Sequence, residues 1–118
     1  MLQTRREIVN AIYERFLKEF MDFLILAKIR EGEKSGYDII TYFHRKSNLL
    51  VSPGTMYSIL YSMERDGLIK ATSRGRKSIY CLTQKGEATI RTINESSEVL
   101  ESFFSNLLGN GKRLQVEA

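Results

Sequence analysis

Residues 51–86 read VSPGTMYSILYSMERDGLIKATSRGRKSIYCLTQKG, and they contain a helix start, a helix stop and a hairpin in that order. Ser52 offers a capping hydroxyl directly before Pro53, whose missing N–H costs nothing at the first position of a helix. Gly67 can adopt the left-handed conformation that ends a helix. These signals predict a helix over residues 52–66.

The predicted helix 52–66 has two different surfaces. One follows the i, i+3, i+4, i+7 spacing of a buried stripe and consists of Met56, Ile59, Leu60 and Met63. The other is rich in hydroxyl and phenol groups and consists of Thr55, Tyr57, Ser58, Tyr61, Ser62 and Arg65. Hydroxyl groups can bond to phosphate oxygens and to base edges, so this surface favours DNA contact. An ordinary solvated helix surface is the alternative.

A β-hairpin with a basic tip is predicted after this helix. Residues 68–72 and 78–82 are short segments with β-branched or aromatic side chains, and residues 73–77 separate them. The tip carries three cations, Arg74, Arg76 and Lys77. Such groups make charge-assisted contacts with phosphates, whereas a merely solvated tip is the alternative.

The charge distribution supports a polyanionic partner. The 118 residues carry a net charge of +4, with 42% hydrophobic and 27% charged residues, as in an ordinary globular domain. Residues 65–85 hold six cations against one carboxylate, whereas residues 87–101 hold four glutamates against one arginine. A basic block beside an acidic one indicates that one part of the surface meets a polyanion.

Helices are also predicted on both sides of this region. Apolar spacing without Pro or Gly predicts helix over the first thirty residues, with one break between residues 18 and 21. Ser35 offers an N-cap for a helix over residues 36–45 that buries Ile39, Ile40 and Phe43. Thr83 caps one last helix, which ends at Gly109.

The sequence offers no catalytic or metal-binding constellation. Cys81 is the single cysteine and His44 the single histidine, so neither a disulfide within the chain nor a Cys/His zinc site is expected. We find no spacing of nucleophile and base and no phosphate-cradling glycine loop. We therefore expect no enzyme activity and no cofactor. The lack of a signal peptide pattern or a membrane-spanning apolar run leads us to expect a cytoplasmic location without membrane contact.

Three helices followed by a two-stranded wing predict a mostly α (α+β) winged helix-turn-helix fold, with an N-terminal helical arm and a C-terminal dimerisation helix. The expected parts are a helical arm, a winged-helix DNA-binding domain, a dimerisation helix and a flexible tail, over residues 1–18, 19–86, 87–108 and 109–118.

Four motifs in this order resemble the PadR family of transcriptional regulators. They are SGYDII at residues 35–40, VSPGTMY at 51–57, MERDGLI at 63–69 and YxLTxKG at 80–86. The resemblance covers about residues 20–86, and the Ser-Pro-Gly-Thr-x-Tyr element is fairly specific among winged helices. The single predicted C-terminal helix is similar to the short subgroup of the family.

The resemblance implies a homodimeric regulator, usually a repressor, that binds a near-palindromic double-stranded DNA operator through helix 52–66 and wing 72–78. It also implies that the C-terminal helix builds the dimer interface. Ser58, Ile79 and Cys81 depart from the residues common in the family, so the resemblance does not imply the operator sequence. Some members of the short subgroup have an aromatic pore in which drugs stack. Because this chain has no Trp, the resemblance does not imply such a pore here.

Two sets of site residues follow. The expected DNA contacts are Ser35, Tyr37, Ser52, Gly54, Thr55, Tyr57, Ser58, Tyr61, Ser62, Arg65, Arg74, Arg76 and Lys77. The expected dimer contacts are Ile8, Ile12, Phe16, Ile90, Ile93, Ser97, Leu100, Phe103, Phe104 and Leu107. Coverage of the chain's own core is the alternative for the stripe from Ile90 to Leu107. A winged-helix protein-interaction module without DNA binding is the alternative function. Control by a small-molecule effector of unknown identity, by no effector, or by concentration alone stays open.

Overall fold

The computed structural model describes residues 4–46 and 51–110. Its elements in chain order are α1 (Arg5–Glu19), α2 (Met21–Arg30), β1 (Lys34–Ser35), α3 (Gly36–Lys46), α4 (Pro53–Arg65), β2 (Ile69–Arg74), β3 (Lys77–Leu82), α5 (Gln84–Glu95) and α6 (Ser97–Leu107). This is the mostly helical winged helix that the sequence predicts. The linker before residue 51 and most of the predicted tail 109–118 lie outside the described residues.

The wing is longer than its sequence pattern predicts. Strands β2 and β3 pair antiparallel from Ile69 opposite Leu82 to Arg74 opposite Lys77. Only two residues connect them, and Gly75, the first of the two, has a φ of +63°. A positive φ at that position is typical of the type II′ turn, which lets a ladder continue to the tip. The predicted five-residue tip was therefore too long.

The sheet has three strands, not the two that were predicted. Lys34 lies opposite Tyr80 and Ser35 lies opposite Ile79, so β1 adds a third strand in the order β1-β3-β2. Two residues are too few to show the alternating pattern by which strands are recognised. The free edge of the hairpin supplies this pairing.

The core lies between α2, α3, α4 and the sheet, and α5 closes it. Its buried members are Met21, Ile25, Leu26, Ile29, Ile39, Phe43, Met56, Leu60, Met63, Ile69, Tyr80 and Ile90. Burial of Ile39 and Phe43 is confirmed, whereas Ile40 is only half-buried. The predicted break in the N-terminal helix lies at Phe20, whose φ of −109° and ψ of 20° separate α1 from α2.

The C-terminal helix is divided, although the sequence predicts one continuous helix. The division lies at Ser96, with φ −96° and ψ 2°, and separates α5 from α6. Asn94, Ser96 and Ser97 lie around it, and side chains of these types compete for backbone hydrogen bonds within a helix. Within residues 4–46 and 51–110, no helix combines the length and the apolar character needed to cross a bilayer.

Candidate nucleic-acid interface

Helix α4 begins with the cap that the sequence predicts. Ser52 has extended backbone angles, and its Oγ accepts the N–H of Thr55 at 3.2 Å. The hydroxyls of Ser52 and Thr55 lie 3.0 Å apart. Pro53, Gly54 and Thr55 are exposed, and the first turn carries no acidic residue. The positive end of the helix dipole is therefore open to an approaching anion.

The two predicted surfaces of α4 are both present. Met56, Leu60 and Met63 are buried, and Ile59 is half-buried. The opposite surface exposes Thr55, Tyr57, Ser58, Tyr61 and Arg65, while Ser62 is half-buried. Nη2 of Arg65 donates to Oγ of Ser62 at 3.1 Å. One face of the helix thus fixes it in the core, and the other presents hydroxyls, phenols and a guanidinium.

Gly36, the first residue of α3, lets the ring of Tyr57 pack closely against the backbone. A Cβ on Gly36 would meet Cε1 of Tyr57 at 3.1 Å and Cε2 of Tyr80 at 3.4 Å. A larger residue would therefore push these rings away from the start of α3. Tyr37, the next residue along the chain, is 73% exposed.

Ser35 does not lie on this surface. It is 5% exposed, and its Oγ accepts the N–H of Asp38 at 3.0 Å. Ser35 is the N-cap of α3, as its position before the helix predicts, and burial in the sheet leaves its hydroxyl no access to a nucleic acid. We therefore remove Ser35 from the predicted DNA contacts.

One of the three cations of the wing forms an ion pair, and the other two are exposed to solvent. Nη2 of Arg74 pairs with Oε2 of Glu33 at 2.9 Å, and both side chains are at least half exposed. Arg76 and Lys77 are exposed, and no ion pair among the described residues involves them. Sequence reasoning missed Glu33, because the pairing of β1 with β3 brings the turn before β1 to the side of the wing.

Tyr80, in β3, is a buried titratable side chain close to the tyrosines of α4. Burial raises the pKa of the Tyr80 phenol above its usual value of 10.0, and nearby Glu64, Tyr61 and Tyr57 raise it further. A phenol with the usual pKa is already neutral at physiological pH, and the raised pKa of Tyr80 extends its neutral range to higher pH. The phenol adds no negative charge behind the surface that α4 presents.

The C-terminal end of α4 is bonded to the first turn of α5. The hydroxyl of Thr83 donates to the carbonyls of Gly67 and Leu68, and Nζ of Lys85 donates to the carbonyl of Asp66 at 2.8 Å. Thr83 also caps α5, because its Oγ1 accepts the N–H of Gly86 at 3.1 Å. Only the cap was predicted from the sequence; the bonds to α4 were not.

The terminal helices expose large apolar side chains. Neither α1 nor α6 contains a buried residue. The side chains concerned are 44–68% exposed, and they are Ile8, Val9, Ile12, Tyr13, Phe16, Val99, Leu100, Phe103, Phe104, Leu107 and Leu108. Seven of the predicted dimer contacts are in this set, and Val9, Tyr13, Val99 and Leu108 were not among the predicted contacts.

Two predicted dimer contacts, Ile90 and Ile93, pack on the core of their own chain, while Ser97 at the start of α6 stays a prediction. Ile90 is 2% exposed and belongs to the core of its own chain, so it is not available to a partner. Ile93 is half-buried against that core, and Ser97 is exposed. The predicted dimer contact at Ile90 was wrong, because α5 packs this side chain against the winged-helix core.

Titratable side chains form no metal-binding group among the described residues, where no three of His, Cys, Asp and Glu lie close enough together. Cys81 is half-buried in β3, with its Sγ 3.7 Å from the carbonyl oxygen of Lys70.

Comparison with known proteins places the chain in a family. Residues 25–92 match the model of the transcriptional regulator PadR-like family. A PadR-like transcriptional regulator from Bacillus cereus is 28% identical, with a TM-score of 0.69 over 83% of this chain and 99% of that one. A PadR family regulator from hypervirulent Clostridium difficile is 25% identical, with a TM-score of 0.66 over 75% of this chain and 98% of the other.

Bacillus subtilis PadR, solved in complex with operator DNA, is 29% identical, with a TM-score of 0.50 over 61% of this chain and 45% of its own. The search of curated proteins found no match. The chain belongs to the PadR-like family of transcriptional regulators.

Proposed function

We propose that the chain is a homodimeric repressor that binds a near-palindromic DNA operator through α4 and the wing formed by β2 and β3. The observation that carries the proposal is the surface of α4, which combines an open, capped N-terminus with hydroxyls and phenols and has no acidic residue in its first turn. The operator complex of Bacillus subtilis PadR supports the same partner for this chain.

In this proposal α4 enters the major groove, which is about 12 Å wide and admits one helix. The wing contacts the phosphate backbone beside it. The contacting residues are Tyr37, Ser52, Gly54, Thr55, Tyr57, Ser58, Tyr61, Ser62, Arg65, Arg74, Arg76 and Lys77. Hydroxyl groups and the helix N-terminus fix the register on the phosphates, and the side chains further along α4 read base edges.

The dimer half of the proposal rests on the apolar surfaces of α1 and α6. A single chain leaves eleven large apolar side chains 44–68% exposed on these two helices and at the C-cap of α6, and exposed apolar surface of this kind marks an interaction site. A second copy is the partner we propose. The two α4 helices would then lie about one helical turn of DNA apart, roughly 34 Å, and the bound dimer would block polymerase. The proposal requires no effector.

Selection of bound duplexes from a random library tests this function. The purified protein is used beside a variant with Arg74, Arg76 and Lys77 changed to Ala, and beside a control with Arg30, Arg45 and Arg91 changed to Ala, three exposed arginines outside α1, α4, α6 and the wing. We expect a two-fold symmetric motif. We also expect the wing variant to bind more weakly, with a salt slope shallower by about 0.9 for each phosphate that the wing no longer neutralises.

A different result would replace the proposal. If no motif emerges and the wing variant binds random duplex as the wild type does, the wing is solvated surface. The chain would then be a winged-helix module for protein interaction.

A further inference from the structure

The carbonyl groups of the turn that follows α4 are bonded by residues that come much later in the chain. The last carbonyls of a helix have no partner within the helix. The turn after α4 satisfies two of them, since the N–H of Gly67 donates to Glu64 at 3.0 Å and that of Leu68 to Met63 at 2.9 Å. The carbonyls of the turn itself, at residues 66–68, point towards α5.

Thr83 and Lys85 bond to all three of these carbonyls. The N–H of Thr83 donates to the carbonyl of Leu68 at 3.1 Å, and its hydroxyl is shared between the carbonyls of Gly67 and Leu68. Lys85 donates to the carbonyl of Asp66 at 2.8 Å. The acceptor is a backbone carbonyl and not the carboxylate of Asp66. The ammonium group of Lys85 therefore restrains the position of the backbone at residue 66.

Gly86 sets how closely the two elements approach. A Cβ at this position would overlap the carbonyl oxygen of Leu68 far inside van der Waals contact. The backbone of α5 therefore lies directly against the turn that joins α4 to β2. Three contacts, from Thr83, Lys85 and Gly86, define a joint with little room for independent movement of the two helices.

This joint connects the two functional halves of the molecule. Helix α5 leads through Ser96 into α6, which carries half of the exposed apolar surface. Helix α4 carries the candidate DNA surface. A displacement of α5 relative to the sheet must therefore either break these hydrogen bonds or move the end of α4.

We propose that Thr83 and Lys85 are positioning residues, which couple α4 to α5 so that the geometry of the C-terminal helices sets the orientation of the DNA-binding surface. The inference rests on the proposed function. It assigns Lys85 a role in operator binding without contact between its side chain and DNA.

Operator affinity and its salt dependence test the joint. Lys85→Met and Thr83→Val remove the side-chain bonds to the turn after α4. Thr83→Val also removes the cap of α5, whereas Thr83→Ser retains the hydroxyl. Arg91→Met is the matched control, because it removes one exposed charge from α5 and leaves the joint intact. We expect the double variant to bind the selected operator about fivefold to thirtyfold more weakly, as for a coupling of typical size. Affinity for random duplex and the salt slope should not change, and Thr83→Ser and Arg91→Met should bind as the wild type does.

Two results would overturn the inference. If Lys85→Met weakens operator and random duplex equally, with a salt slope shallower by about 0.9, Lys85 contacts a phosphate directly. If the double variant binds operator as tightly as the wild type, the joint does not position α4.

A second measurement needs no DNA. In the full-length double variant we expect amide hydrogen exchange at Gly67 and Leu68 to be roughly tenfold faster, because the turn they belong to loses its bonds to α5. Unchanged exchange would overturn the joint even if operator binding changed. If the wild type shows no operator preference, the proposed function fails, and exchange alone decides the coupling of α4 to α5.

Discussion

A single chain buries the apolar side chains of the winged-helix unit, residues 21–86, but not those of the terminal helices, α1 and α6. In the winged-helix unit, α4 has a buried stripe, a capped start and an end bonded to α5. In the terminal helices no residue is buried, although large apolar side chains follow one another along both. One chain therefore suffices to orient α4, whereas the apolar surfaces of the terminal helices are covered only in the proposed dimer.

The largest expected effect is a loss of stability in the winged-helix unit. Leu60 is fully buried on α4, so Leu60→Ala should lower the free energy of unfolding by about 2–5 kcal/mol. Leu100, on α6, is 52% exposed. Leu100→Ala should therefore cost less than about 1 kcal/mol in the monomer. Urea unfolding of dilute protein measures both, and equal losses would contradict the comparison.

The next effect concerns association. Phe104 is 56% exposed on α6, and Phe104→Lys places a charge in the proposed interface. We expect dimerisation to weaken by about 2 kcal/mol or more, roughly thirtyfold, as for a residue that dominates an interface. Sedimentation equilibrium measures this. Tyr37→Lys is the matched control, because Tyr37 is an exposed aromatic residue of the winged-helix unit.

The circular dichroism spectrum should be the same for Phe104→Lys and the wild type, because the substituted side chain is not part of the core. A variant that dimerises as the wild type does would show that α6 is not the interface.

A smaller effect concerns the ion pair at the wing. Glu33 pairs with Arg74 in the free protein, and binding to a phosphate must compete with this pair. Exposed ion pairs are worth about 0.2–1 kcal/mol, so Glu33→Gln should tighten DNA binding by up to about fivefold. Glu31→Gln is the control, because Glu31 is an exposed carboxylate that pairs with the half-buried Lys28 instead. Equal gains from both variants would mean that only net charge matters.

The smallest effect is the pH dependence of stability that arises from Tyr80. Its pKa is raised in the folded chain by burial, from 10.0, so the neutral phenol contributes stability that is fully present below pH 10. This contribution is lost as the pH rises through 10 towards the folded pKa. Unfolding free energy should therefore fall less steeply above pH 10 in Tyr80→Phe than in the wild type. If the unfolding free energy of Tyr80→Phe and of the wild type falls equally steeply above pH 10, Tyr80 does not cause this pH dependence.

Local signals in the sequence predicted most of the winged-helix unit. Ser52, Pro53 and Gly67 are capping residues whose effect depends on their immediate neighbours, so the bounds of α4 could be predicted within about two residues. The apolar spacing of α4 likewise predicted which side chains are buried. Hydroxyl-rich and basic surfaces could be identified because they depend on residue type alone.

Contacts between distant parts of the chain could not be predicted in the same way. Strand β1, the pair of Glu33 with Arg74, and the bonds of Thr83 and Lys85 to α4 all depend on which elements become neighbours after folding. The burial of Ile90 has the same origin. Its spacing fits the exposed stripe, but the sheet and α2 occupy its side of α5.

The most direct test is a titration of the selected operator and of a duplex that carries one half-site, with the wild type and Phe104→Lys. We predict two wild-type chains on each full operator and much tighter binding to it than to the half-site. Phe104→Lys, with an intact winged-helix unit, should bind the two duplexes with nearly equal affinity. One wild-type chain per operator, or an undiminished preference of the variant for the full site, would contradict the account.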